Sequence, residues 1–200
     1  MLKKRILSIV LALTMLMVPG AYAAQPAKDD MHGVWVASVH NIDFPSEQGM
    51  TADQLKAEAD TELDNIAAMG LNTVFLQVRP SADALYPSEL FPWSRYVSGT
   101  TGQAPEGSFD VLGYWVTAAH KRGLQLHAWI NPYRITIDGE DEWNAIPDSS
   151  PAKQHPEWVV KYNDNYYFDP GIPAVQQLVV DGAAEIVKNY DVDGIHLDDY

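Results

Sequence analysis

Strand-like runs alternate with helical stripes along this chain, and no two strand-like runs lie close enough to pair through a hairpin. The runs cover residues 33–39, 72–79, 124–131 and 192–200. Between the first two, Thr51 and Gln54 form a capping box, and Leu55, Ala59, Leu63, Ile66 and Ala67 recur at helical spacing up to a closing Gly70. Leu112, Trp115, Val116 and Ala119 stripe a second helix that ends at Gly123. Pro173 opens a third, with Val175, Leu178, Val179, Gly182 and Ile186 on one side. Strands joined through helices run parallel, because the crossover returns the chain to the same end of the sheet.

Two parallel architectures compete, and the strand faces separate them. Val74, Leu76 and Val78 oppose Thr73, Phe75, Gln77 and Arg79. Leu124, Leu126, Ala128 and Ile130 oppose Gln125, His127, Trp129 and Asn131, while Ile195 and Leu197 oppose Gly194, His196 and Asp198. A doubly wound sheet is covered on both sides and would want both faces apolar. A barrel needs one apolar face for its helices and tolerates a polar lumen. The long connections, 40–49, 81–107 and 132–171, all follow strands and read as loops, whereas the helix-to-strand turns are short. That asymmetry belongs to the working end of a (β/α)8 TIM barrel. The predicted fold class is therefore α/β, with about the first four units of such a barrel in residues 31–200, its N-terminal half.

Residues 1–23 are expected to stand apart. Lys3, Lys4 and Arg5 precede an apolar run over 6–18, and Ala21-Tyr22-Ala23 offers a small-x-small cleavage site, the form of a secretory signal peptide. Residues 24–30 read as a patternless leader. Without cysteine there is neither a lipid-anchor site nor a disulfide, so the expectation is a secreted protein with no membrane anchor after cleavage. The signal holds three of 13 basic and none of 27 acidic residues, leaving ten against 27, a net charge of −17. So acidic a chain is a poor partner for nucleic acid.

Barrel chemistry is done where strands end. Ser38, His40, Asn41 and Asp43 follow the first strand; Gln77 and Arg79 close the second; Asn131, Tyr133 and Arg134 follow the third; Asp198 and Asp199 end the fourth. Trp93, Trp129, Trp143 and Trp158 lie in or near these segments, whereas Trp35 and Trp115 read as core. Paired carboxylates, polar forks and flat apolar faces are what glycoside hydrolysis requires. Each has a plainer use: Arg79 as a structural ion-pair partner, His127 as a satisfied lumen histidine, the terminal carboxylates as caps or loop residues. By parity Asp198 faces the lumen and Asp199 faces away. His196-x-Asp198, joined by His32 or His40, has the types of a metal site, but no His-x-His marks an early strand, so no metal or other cofactor is assigned.

Six segments in order resemble one family: Gly33-Val34-Trp35, the run from Asn72 to Pro80, His127-Ala128-Trp129-Ile130-Asn131-Pro132-Tyr133-Arg134, His155-Pro156-Glu157-Trp158, Asp169-Pro170-Gly171-Ile172-Pro173, and Asp193 to Tyr200. Together they are similar to the bacterial glycosyl-hydrolase-like 10 family. The resemblance implies an exported barrel enzyme acting on a polysaccharide, with bacterial peptidoglycan glycan strands as a substrate class. Its barrel is also similar to that of the α-amylase clan, whose fourth strand reads Gly-x-Arg-x-Asp with the Asp as nucleophile. Laid on Gly194-Ile195-His196-Leu197-Asp198, that form puts the nucleophile at Asp198 and His196 in place of the Arg. The expected catalytic residues are Asp198 and Asp199, with the second catalytic carboxylate on a later strand. The expected substrate contacts are His40, Gln77, Arg79, Trp129, Asn131, Tyr133, Arg134 and His196. Rival readings are a non-catalytic glycan-binding barrel and a metal-dependent deacetylase or amidase.

Overall fold

The computed structural model describes residues 30–198. The signal-peptide reading of 1–23, nearly all of the 24–30 leader, and Asp199 lie outside the described residues. Strands β1 (Gly33–Val36), β2 (Thr73–Arg79), β3 (Gln125–Ile130) and β6 (Gly194–Leu197) form one sheet in the order β1-β2-β3-β6, every neighbouring pair parallel. Helices α1 (Ala52–Ala68), α2 (Val111–Lys121) and α3 (Pro173–Asn189) supply the crossovers. The helix boundaries follow the expected chemistry. Thr51 accepts from the backbone N–H of Gln54, whose side chain in turn accepts from the N–H of Thr51. Gly70, at φ 78, takes the left-handed position that ends α1, where a Cβ would be strained.

One face of the sheet is closed by these helices. Val74, Leu76 and Val78 of β2 and Leu126, Ala128 and Ile130 of β3 are fully buried. They form one core with Leu55, Ala59, Leu63 and Ile66 of α1, Leu112, Trp115, Val116 and Ala119 of α2, and Ile186 of α3. Full burial of a Leu-sized side chain contributes about 1.5–3 kcal/mol. Ala67, counted in the α1 stripe, is exposed instead.

Rings fill the opposite face. Trp35 on β1 reaches His196 on β6 across the two strands between them, with ring centroids 5.9 Å apart, so this face is concave. Glycine makes the layer possible. A Cβ on Gly33 would lie 2.6 Å from the Phe75 ring, and one on Gly194 would lie 2.5 Å from His127. The smallest residue on each outer strand thus gives space to a ring on its inner neighbour.

Three expectations need correction. The first strand stops at Val36 rather than continuing to residue 39. Asp43 captures the Ala37 N–H, and Gln77 captures those of Ser38 and Val39, which draws the chain out of the sheet into a short 3-10 turn, Val39–Asn41. The segment 132–171 is not a plain loop. It holds helical turns at Gly139–Ala145 and Pro151–Gln154 and an antiparallel hairpin of β4 (Val159–Tyr162) and β5 (Asn165–Phe168). Asn163, at φ 53, makes the two-residue turn, and Ile135, Ile146, Ala152 and Phe168 give the segment a small core of its own. The 81–107 loop likewise contains a helical turn, Arg95–Ser98, capped by Ser94.

Candidate active site

The strand ends meet at an open depression of about 480 Å³ lined by Trp35, Trp129, His196, Leu197 and Asp198. Trp35, Trp129, His196 and Asp198 are set there by strand parity, whereas Leu197, of the opposite parity, is 52% exposed at the end of β6. Trp129 and His196 are register partners on β3 and β6, and two residues further on along each strand Asn131 meets Asp198. Asn131 is buried and acts as a splint. Its Nδ2 donates to Asp198 Oδ2 at 3.1 Å, while its Oδ1 accepts from the Arg134 N–H at 2.8 Å. Asp198 Oδ1 and Trp129 Nε1 are both buried without a hydrogen-bond partner among the described residues. One carboxylate oxygen is therefore oriented by protein, and the other has no such tie among the described residues.

Above the depression the rings are packed rather than loose. Trp35 stacks on Phe75 at 4.8 Å, and Phe75 meets both His127 and His196 at 5.1 Å. Burial holds the His127 imidazole below its ordinary pKa; Asp193 opposes that shift and His196 adds to it. A neutral His127 suits a place among rings better than a charged one.

The other expected contacts go elsewhere. Arg79 does not face the concave side. A bulge between Gln77 and Arg79 reverses its parity, and the guanidinium lies over Phe91 at 3.8 Å, against Gly182 of α3, only 1% exposed. Burial lowers its pKa, and Tyr86, Asp83 and Glu185 pull the other way. Gln77 is equally buried, its Oε1 taken by two backbone N–H groups of the first loop. Arg134 donates Nε and Nη2 to the Pro80 carbonyl, tying the third strand's loop to the second's. Tyr133 packs on the small core of the hairpin segment. His40 is exposed at φ 53, its ring 6.0 Å from that of Tyr96, on a turn that Asn41 anchors to the carbonyls of Pro45 and Tyr96. Trp143 and Trp158 also belong to the hairpin segment, stacked on Tyr166 and His155. Among the described residues no three His, Asp or Glu side chains converge in a way that could hold a metal ion.

Two residues escaped the sequence reading. Trp35 is not core but 53% exposed on the concave face. It shares parity with Gly33 and opposes Val34 and Val36, a signal that was there to read. Asp83 lies just beyond β2, buried, with Oδ1 accepting from the Ser81 N–H. Burial pushes its carboxyl up to about 6, against hydrogen bonds from Ser94 and Ser81 that favour the charged form. Nothing in a loop sequence marks one Asp as the buried one.

Known proteins resemble this chain in sequence and in fold. The chain is 41% identical over 195 residues to "Glycosyl hydrolase YngK" of Bacillus subtilis, covering 98% of this chain and 38% of that protein. It is 36% identical over 190 residues to "Glycosyl hydrolase DigH" of Escherichia coli K12, covering 88% of this chain and 43% of that one. The chain thus spans about two fifths of the length of the curated relatives it matches. Among solved structures it is similar to a noncanonic maltogenic alpha-amylase, AmyB, from Thermotoga neapolitana (TM-score 0.52, 17% identity, 84% of this chain and 39% of that one). It is also similar to alpha-L-fucosidase isoenzyme 2 from Paenibacillus thiaminolyticus (TM-score 0.51, 19% identity, 84% and 23%). At such identities the likeness shows the fold alone. The model of the glycosyl hydrolase-like 10 family matches residues 30–200, and the chain belongs to that family.

Proposed function

We propose that this chain forms the first half of a (β/α)8 barrel, and that the whole protein is an exported glycoside hydrolase acting on a polysaccharide, bacterial cell-wall glycan above all. The observation that carries the proposal is Asp198. It follows β6 on the concave side, with one oxygen held by Asn131 and the other without a partner among the described residues, in a depression walled by Trp35 and Trp129. Indole faces pack against sugar rings, and the carboxylate lines the same depression. Asp198 serves as nucleophile or as the charge that stabilises an oxocarbenium-like centre. A carboxyl group from a later strand protonates the departing glycosidic oxygen, and water completes the cleavage. Family membership and relatives named as glycosyl hydrolases support this chemistry. Among the described residues the outer strands β1 and β6 each pair on one side only, which supports a barrel completed by further strands.

The test is product release. Full-length protein incubated with peptide-stripped cell-wall glycan is expected to liberate soluble oligosaccharides. Cleavage of starch instead would move the substrate to the α-glucans. Binding without turnover on either would favour a glycan-binding barrel.

A further inference from the structure

Trp35 Nε1 lies 3.1 Å from His196 Nε2, joining the first strand of the sheet to the last. An indole N–H can donate and cannot accept. His196 Nε2 must therefore be the acceptor, which leaves the single imidazole proton on Nδ1. A doubly protonated ring, or one protonated on Nε2, would set two N–H groups against each other. Trp35 is braced for this contact. Its ring lies nearly parallel to Phe75, 17° between planes, and Gly33 clears the space that Phe75 occupies. An indole that is half exposed, yet stacked and hydrogen-bonded into one orientation, is held for a purpose other than burial.

We propose that Trp35 is a positioning residue: it locks His196 as the neutral Nδ1–H tautomer, so that His196 meets a bound glycan only as a hydrogen-bond donor. This rests on the concave depression being the glycan site, since His196 lines it together with Trp129 and Asp198. A fixed donor selects its partner. The sugar atom opposite it must be an acceptor, a hydroxyl oxygen or an amide carbonyl oxygen, and a group that can only donate is rejected. Because the lock acts on binding rather than on bond cleavage, its signature is in KM more than in kcat.

The experiment uses full-length protein carrying 15N-labelled histidine. A long-range nitrogen–proton correlation spectrum is expected to show His196 protonated on Nδ1 and bare on Nε2, with the signal identified by its loss in His196→Asn. Trp35→Phe keeps a ring on Phe75 and removes the donor together with part of the indole face, so the nitrogen spectrum rather than KM isolates the lost hydrogen bond. The substitution should move His196 towards the Nε2–H form that predominates in free histidine, and raise KM about tenfold with kcat nearly unchanged, as the loss of one net hydrogen bond requires. An Asn amide nitrogen mimics Nδ1, whereas a Gln amide mimics Nε2. His196→Asn should therefore keep a lower KM than His196→Gln. An Nε2–H signal in the wild type, a spectrum unmoved by Trp35→Phe, or the reverse Asn and Gln order would overturn the proposal while leaving the role of Asp198 intact. Full activity in Asp198→Asn would remove the glycan site itself, and with it the donor role of His196, though the tautomer would still be observed.

Discussion

Asp83 shows how much one buried side chain can do to stability, and in which direction. Burial raises its carboxyl to about 6 from an ordinary value of 3.8. Between those values the native state holds a proton that the unfolded chain releases. Stability from this group is therefore complete below the unfolded value and is lost as pH rises through about 6. By pH 7 the loss is on the order of 3 kcal/mol. Asp83→Asn stays neutral and keeps an oxygen for the Ser81 N–H. Melting curves of the two proteins should therefore diverge between pH 4 and 7, the variant gaining on the wild type as pH rises. Parallel curves would mean that the carboxylate is solvated. At this scale the sequence was legible only along strands. Alternation placed Trp129, Asn131, His196 and Asp198 on one face, where the register pairs Trp129 with His196 and a hydrogen bond joins Asn131 to Asp198. It failed at Arg79, where a bulge inverts parity, and at Asp83 and Gln77, whose burial depends on loops folding over them.

Elements were more legible than side chains, for a physical reason. Caps, stripes and closing glycines are local, so α1, α2 and α3 could be read from neighbours a few residues apart. The β4–β5 hairpin could not, because its strands are four residues each, β4 largely exposed and β5 mostly half-buried, and carry no strong alternation. Only the Asn163-Asp164 turn hinted at it. How elements fit together is tested best at Gly182, in the middle of α3. Replacing a helical glycine by alanine ordinarily stabilises by about 1 kcal/mol. Here the new Cβ would sit 2.2 Å from Arg79 Nη1 and 2.9 Å from Phe91, and the guanidinium is pinned on that ring. Overpacking of this kind costs about 1–3 kcal/mol, so Gly182→Ala should lower the denaturation midpoint despite its better helix propensity. A raised midpoint would show that Arg79 has room to move.

At the largest scale, the unit built on the four-stranded sheet has two unlike faces. One is closed by three helices over an apolar core, and the other is a concave layer of rings ending in a polar rim. That division, more than any single motif, is what the sequence announced by pairing an apolar strand face with a polar one. It also gathers polar groups at one end of the sheet, where Asn131 orients Asp198 and ties it through Arg134 to the start of the 132–171 segment. The central claim is that this carboxylate reacts. Asp198→Asn keeps the shape and the Asn131 contact of one oxygen while removing the charge, so it should fold as the wild type does and lose several orders of magnitude in turnover, the mark of an interaction made in the transition state. The measurement is kcat of full-length wild type, Asp198→Asn and Asp199→Asn on one glycan substrate, with circular dichroism confirming the three folds. The account predicts a dead Asp198→Asn and a milder Asp199→Asn; near-normal turnover in Asp198→Asn beside a dead Asp199→Asn would contradict it.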